Sequence, residues 1–242
     1  MKATNTLSSI SYLIIGSGRV ARHLGHYFHL LNISHQTWDR AQDPHLLRTK
    51  IANATHVLLA ISDDSLAAFY RQNLAGHEKT VVHFSGALNF DDMIAAHPLM
   101  TFGPELYELD FYKQIHFTMT GASLSEALPG LPNPSSLLPA EQKALYHAFC
   151  VIGGNFSTLL IAKMLSGFAD MKIPSEAARV YIEKVVENTF ANPEKALTGP
   201  LIRKDAKTVQ KNLTALGNDP AADIYKAFLK NYWPEYKESE GL

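Results

Sequence analysis

The sequence predicts an α/β fold: an N-terminal doubly wound parallel sheet followed by an all-helical C-terminal domain. Three observations lead there. Short apolar runs alternate with segments of helical period through the first half of the chain. The stretch "LPGLPNPSSLLP", with prolines at 129, 132, 134 and 139, then interrupts the pattern. Beyond it every periodic segment is helical, as a separate helical layer requires.

Tyr12 to Ile15 is an apolar run after a polar lead, the mark of a buried strand. Val20, Leu24, Tyr27, Phe28 and Leu31 then share one helical face. "HQTW" (35–38) reads as the second strand and His56 to Ile61 as the third. Asp63 or Asp64 can cap the next helix, whose apolar residues are Leu66, Ala67, Phe69 and Tyr70. "TVVHF" (80–84) is a further buried strand ending at Ser85-Gly86, and Ile115 to Thr120 is the last one expected. Four prolines so close together leave no regular element between them. The domain break is therefore placed there, giving domains 1–138 and 139–242. The helices expected beyond it run over 140–165, 175–190, 204–216 and 221–232. Pro174, Pro193, Gly199-Pro200 and the segment Gly217 to Pro220 separate them.

The composition narrows the function classes. The chain has 242 residues, 46% hydrophobic and 19% charged, with a net charge of −1. No positive surplus points to nucleic acid or to an anionic membrane surface. The single cysteine, Cys150, excludes an internal disulfide and fits a reducing cytoplasm. The first apolar run is too short for a secretory signal. Ala144 to Ala162 contains no Asp, Glu, Lys or Arg, but its centre reads "GGNFST" and it includes His147. Polar groups there are costly in lipid, so a helix covered by protein is expected instead of a membrane span.

"GSGRVA" (16–21) follows a strand and opens a helix, which is the context a phosphate cradle needs. Gly16 permits the sharp turn, Gly18 permits close approach of a pyrophosphate, and Ala21 lets the helix pack against the strand. Ser17, Arg19 and Val20 complete the loop, with backbone N–H groups and the helix dipole turned toward the anion. Ser62 and Asp63, after the third strand, are expected beside it. At the end of the second strand an acidic residue selects NAD and an arginine selects NADP. Asp39 and Arg40 stand there together, so spacing leaves the choice open. A charge-assisted bond from Arg40 to a 2′-phosphate tilts the reading to NADP.

The blocks "LIIGSGRVARHL", "LLAISDDSL", "VVHFSGAL", "HPLMTFG", "LYHAFCVIGGNFSTLL" and "ALTGPLIRKDAKTVQKNL" occur in this order. Together they resemble bacterial Rossmann-like oxidoreductases whose helical C-terminal half is a domain of unknown function. These are related to the prephenate dehydrogenase, ketopantoate reductase and pyrroline carboxylate reductase group. The resemblance implies an NAD(P)-dependent oxidoreductase, a site in a cleft between the two domains, and a homodimer formed by the helical domain. The substrate implied by analogy is a small carbonyl, hydroxy or imino acid. "HPLMTFGP" is similar to the His-Pro block of prephenate dehydrogenases, which implies that His97 handles the substrate proton and that Ser85 orients it. The sequence departs from the family pattern at "SDD", at "RKD" and at Asn212.

His147 and Asn155 lie eight residues apart on the uncharged helix, about 80° and about 12 Å from one another, so both can edge one cleft. Gly153-Gly154 beside them suits close approach of a cofactor or of another helix. Arg203 reads either as a clamp for a carboxylate or as a helix–helix corner. His23, His26 and His29 fan out along the first helix, which describes a solvated face and not a metal site; no metal is expected. A dinucleotide-binding sensor without turnover, or another doubly wound enzyme such as a methyltransferase, would share the glycine loop. The sensor would not need a proton-handling pair at His97 and Ser85, and the helical second domain fits the methyltransferase poorly.

Overall fold

The computed structural model describes residues 10–237. The sheet half runs β1 (Tyr12–Ile15), α1 (Arg19–Leu30), β2 (His35–Trp38), α2 (Pro44–Asn53), β3 (His56–Leu59), α3 (Asp63–Asn73), β4 (Thr80–His83), β5 (Ile94–Pro98), α4 (Leu109–Gln114), β6 (Phe117–Thr120), α5 (Leu124–Ala127) and β7 (Ser135–Leu137). The seven strands form one sheet in the order β2-β1-β3-β4-β5-β6-β7. This is a Rossmann-type sheet, with β2 and β3 flanking β1 in parallel. β6 pairs antiparallel with β5, and β7 continues parallel to β6. The sheet is therefore mixed at its far edge and not parallel throughout.

Alternation along the strands divides the core between two faces. Tyr12 and Ile14 of β1 meet Leu24 and Phe28 of α1 on one face. Leu13 and Ile15 meet Leu47 and Ile51 of α2 and Leu66 of α3 on the other. Leu13, Ile14, Val57, Leu58 and Val82 are completely buried. Each such side chain contributes roughly 1.5–3 kcal/mol by leaving water. Helices on both faces explain why these strands read as continuous apolar runs.

Two strands differ from the sequence expectation. β5, "IAAHP", is built on Ala95 and Ala96, which have little intrinsic strand preference; its place between β4 and β6 makes it a strand. β7 lies within the proline-rich stretch where no regular element was expected. It fits because Pro134 and Pro139 stand outside it, and it is an edge strand with exposed side chains. The Pro134 carbonyl still accepts from the Phe117 N–H at 2.9 Å.

After β7 come α6 (Lys143–Cys150), a π-helical turn (Val151–Phe156) and α7 (Ser157–Asp170). The π turn spans Gly153-Gly154, where helix preference is weakest. α8 (Ser175–Ala191), α9 (Pro193–Ala196), α10 (Ala206–Leu216) and α11 (Ala221–Tyr232) complete the chain. Asp205 caps α10, accepting from the Thr208 N–H at 3.1 Å. By contacts, residues up to Thr158 form one compact unit and those from Leu159 form a second. The division falls beyond the expected break at 138/139, because α6 places Lys143, Tyr146 and His147 against the strand ends. Ala140–Asp170 is long and apolar enough to cross a membrane by length and composition.

Candidate functional site

The chain leaves β1 through Gly16 to Gly18 and enters α1. Gly16 has φ +129°, and a Cβ there would lie 2.2 Å from the Ala60 carbonyl oxygen. Only glycine fits that position. Its N–H donates to the Trp38 carbonyl at 2.9 Å, while the Ala60 N–H donates to the Ile15 carbonyl at 2.9 Å. These bonds tie together the ends of β1, β2 and β3. Gly18 is different. Its φ of −71° suits any residue, and no described atom lies within 4 Å of where its Cβ would be. Its missing side chain clears space outside the chain's own packing. α1 starts beside that space with no side-chain cap and no acidic residue in its first turn. Its N-terminal dipole thus stays available to an anion.

A cleft of about 620 Å³ opens here, at the topological switch point of the sheet. One wall is Gly16, Ser17, Gly18, Arg19 and Val20; another is Trp38, Asp39 and Arg40. Ser62, Asp63, Phe84 and Ser85 close the third side. Every residue expected to bind a cofactor lines this cleft. Their local roles differ. Arg19 Nη1 donates to the Phe102 carbonyl at 3.4 Å. Asp39 Oδ1 accepts from the Ala41 N–H at 2.8 Å and its Oδ2 from Gln42 Nε2 at 3.3 Å. That carboxylate stabilises its own turn. Arg40 is exposed at the rim. Ser62 Oγ lies 2.9 Å from Ser65 Oγ, within the first turn of α3.

Beyond the cleft, polar groups converge at the ends of β4 and β5. Ser85 is buried, but it does not orient His97. Its hydroxyl donates to Asp63 Oδ2 at 2.7 Å and accepts from the Leu88 N–H at 3.0 Å. The partner of His97 is Tyr146 of α6, whose hydroxyl lies 2.8 Å from His97 Nδ1. His147, on the same helix, approaches from the side, its ring centroid 6.1 Å from that of His97. A Cβ on Gly86 would lie 2.3 Å from His147 Cδ2 and 3.0 Å from His97 Nε2, so glycine at 86 makes this convergence possible. Asn155 does not join the cluster; it is exposed in the π turn.

Lys143 is the residue that sequence reasoning missed. It is 1% exposed, and its Nζ donates to the Ser85 carbonyl at 2.8 Å. Burial lowers its pKa to about 8, opposed by the nearby Asp63 carboxylate. Burial also pushes His97 down to about 4, helped by the positive charges of Lys143 and His147. His83 is likewise held at about 4 by burial, and its Nε2 has no hydrogen-bond partner among the described residues. A helical signal was present: Lys143, Tyr146, His147 and Cys150 are spaced by three, four and seven residues and share one helix face.

Two other residues fall outside the site. Arg203 is exposed, and its N–H closes a turn on the Gly199 carbonyl at 3.3 Å. His23, expected on a solvated face, is buried. Its Nδ1 lies 2.7 Å from the Tyr112 hydroxyl, its Nε2 lies 3.0 Å from the Gly103 carbonyl, and its ring packs against Phe102. A histidine with both nitrogens satisfied can sit inside.

Comparison with known proteins gives the same architecture. Residues 122–232 match the family model described as a domain of unknown function, DUF2520. No curated protein matches the chain. Among solved structures, a Bacteroides fragilis protein assigned as an NADP oxidoreductase superposes with a TM-score of 0.77 at 19% identity. It covers 94% of this chain and 99% of its own. An imine reductase variant from Myxococcus stipitatus, in complex with NAD+, gives 0.57 at 15% identity, covering 94% and 95%. Plasmodium falciparum pyrroline carboxylate reductase with NADP bound gives 0.56 at 11% identity, covering 92% and 99%. The structural neighbours are NAD(P)-dependent reductases; at these identities the likeness establishes the fold.

Proposed function

We propose that the chain is an NAD(P)-dependent oxidoreductase that transfers a hydride to or from a small carbonyl, hydroxy or imino acid. The observation that carries this reading is the contrast between the two loop glycines. Gly16 is required by the chain's own backbone, whereas Gly18 faces open space beside an uncapped helix start. The cleft around them has the size and the residue types that a dinucleotide needs. A bound nicotinamide would supply or accept the hydride. The chain would do the rest. The Gly16–Val20 backbone would hold the pyrophosphate, and Ser62 and Asp63 would flank it.

NADP is favoured over NAD in this reading. The Asp39 carboxylate is engaged by Ala41 and Gln42, while Arg40 is exposed at the rim of the same cleft. The substrate is assigned to the neighbourhood of His97, with His147 beside it and Lys143 supplying a buried positive charge. A sensor that only binds nucleotide would have no use for a buried lysine and two convergent histidines next to the cleft. Asn155 keeps a place in the proposal only as a contact for a second chain. The apolar faces of α7 and α8 suit a second copy of this chain, which makes a homodimer. A cytoplasmic location suits the lone Cys150 thiol.

The test follows nicotinamide absorbance while NADPH is offered with a panel of small keto and imino acids. His97→Asn should lower turnover by at least about 100-fold, the usual worth of a proton-handling or hydrogen-bonding group at the reacting atom. NADPH binding should be retained. Unchanged turnover would remove His97 from the reaction.

A further inference from the structure

Asp63 is the first residue of α3 and lines the cleft, directly after the N-cap Ser62. One of its carboxylate oxygens is fixed. Oδ2 accepts from the Ser85 hydroxyl at 2.7 Å, the length of a charge-assisted bond. Ser85 is 7% exposed, and its oxygen accepts in turn from the Leu88 N–H at 3.0 Å and the Ala87 N–H at 3.3 Å. A hydroxyl has one proton to give, and a carboxylate can only accept. The Ser85 proton is therefore committed to Asp63, and the turn after β4 holds the serine in place. The buried Lys143 does not compete, because its Nζ donates to the Ser85 carbonyl. Asp63 itself is exposed, and its Oδ1 has no hydrogen-bond partner among the described residues.

The strand order β2-β1-β3-β4 decides which part of a dinucleotide that free oxygen can meet. Arg40 follows β2 and Asp63 opens the helix after β3, so they lie on opposite sides of the glycine loop that follows β1. With the adenosine 2′ end at Arg40 and the pyrophosphate at the loop, the second nucleoside runs across the ends of β3 and β4. The loop and the end of β3 are in close contact. A Cβ on Gly16 would lie 2.2 Å from the Ala60 oxygen, and Asp63 follows Ala60 by three residues. The part of the cofactor next to the pyrophosphate on that side is the nicotinamide ribose.

The chemistry of the carboxylate agrees. It repels phosphate and has no proton for a carbonyl, but a vicinal diol offers it two O–H donors. The positive end of the α3 dipole favours a negative charge at that position. We infer that Asp63 binds the hydroxyls of the nicotinamide ribose and that Ser85 is the positioning residue for its carboxylate. The inference deepens the proposed function and rests on it. It gives Ser85 a role toward the cofactor in place of the one expected beside His97.

The test is calorimetric titration of the full chain as wild type, Asp63→Asn and Ser85→Ala. The probes are NADPH, its 3-acetylpyridine analogue and adenosine 2′,5′-bisphosphate. The analogue lacks the carboxamide N–H, and the bisphosphate lacks the nicotinamide nucleoside. Asp63→Asn should weaken NADPH and the analogue alike, by about 10- to 100-fold, and leave the bisphosphate unchanged. Ser85→Ala loosens the carboxylate without removing it and should weaken the same two probes by a smaller factor, roughly 5-fold. A bond that only ties α3 to β4 would lower the melting temperature without separating the probes. If Ser85→Ala does not fold, Asp63→Asn decides. Unchanged NADPH affinity in Asp63→Asn would overturn the inference. An equal loss for the bisphosphate would overturn it too, since the cradle itself would then be disturbed. A loss for NADPH but not for the analogue would assign Asp63 to the carboxamide and also overturn it. Failure of the wild type to bind NADPH would instead defeat the proposed function, whereas wild-type binding with unaffected variants removes only the role of Asp63.

Discussion

In the sheet unit, the side chains of Leu13, Ile14, Val57 and Leu58 are covered entirely by the chain's own strands and helices. In the helical unit, Leu159, Val180 and Phe190 are 65%, 69% and 88% exposed. The core of the helical unit is small, centred on Val209, Leu213 and Leu229. The same chemistry is thus resolved in two ways. The first unit satisfies its apolar residues internally, and three of its buried polar groups, His83, Ser85 and Lys143, gather at the end of β4. The second leaves apolar helix faces bare, which is the surface expected of an element that packs on another chain.

The most damaging way to probe this contrast is in the sheet unit. Gly16→Ala would place a Cβ against a backbone oxygen in a conformation that alanine rarely adopts. It should cost several kcal/mol, visible as a large loss of thermal stability, and should abolish dinucleotide binding. An unaltered melting temperature would mean the loop is not built as described. A charge on the exposed apolar face of the helical unit should act differently. Leu159→Asp with Tyr181→Asp should convert a dimer to a monomer in sedimentation, with helix content retained. A wild type that is already monomeric would remove the proposed role of this face.

The smallest effect concerns acid. His83 titrates near 4 in the fold and near 6.5 when unfolded. Its folded value is depressed, so the unfolded state binds the extra proton. Stability is full above about pH 6.5 and declines as pH falls toward 4, by at most about 1.4 kcal/mol per pH unit from this residue. His83→Gln should flatten the decline measured by urea unfolding at a series of pH values. An unchanged slope would show that His83 does not carry the effect.

The two units were also unequally legible. Residues Tyr12 to Val20 announced a strand, a glycine turn and a helix, because the apolar run, the two glycines and the helical period all lie within one short stretch. The helices at 175–190 and 221–232 were legible from period and from the prolines and glycines between them. β5 was not, because Ala95 and Ala96 become strand only through neighbours on both sides. β7 was hidden by prolines that turned out to flank it. The polar cluster was the least legible part. His97 was identified by its motif, but its partner Tyr146 is 49 residues away, and Lys143 is 58 residues from Ser85. Contacts of that range depend on where α6 lands on the strand ends, and no local pattern encodes it. The serine at the end of the preceding strand was the natural guess; the fold instead turns Ser85 toward Asp63.

In the proposed function the glycine-loop cleft of the sheet unit holds a nicotinamide dinucleotide with its 2′ end at Arg40. Calorimetric titration of NADPH and NADH into the wild type and Arg40→Ala tests it most directly. One saturable site per chain is expected, tighter for NADPH. In Arg40→Ala the NADPH affinity should fall by about 10- to 100-fold while NADH changes little. Absence of binding by either dinucleotide would contradict the claim, and equal losses for both would contradict the role of Arg40.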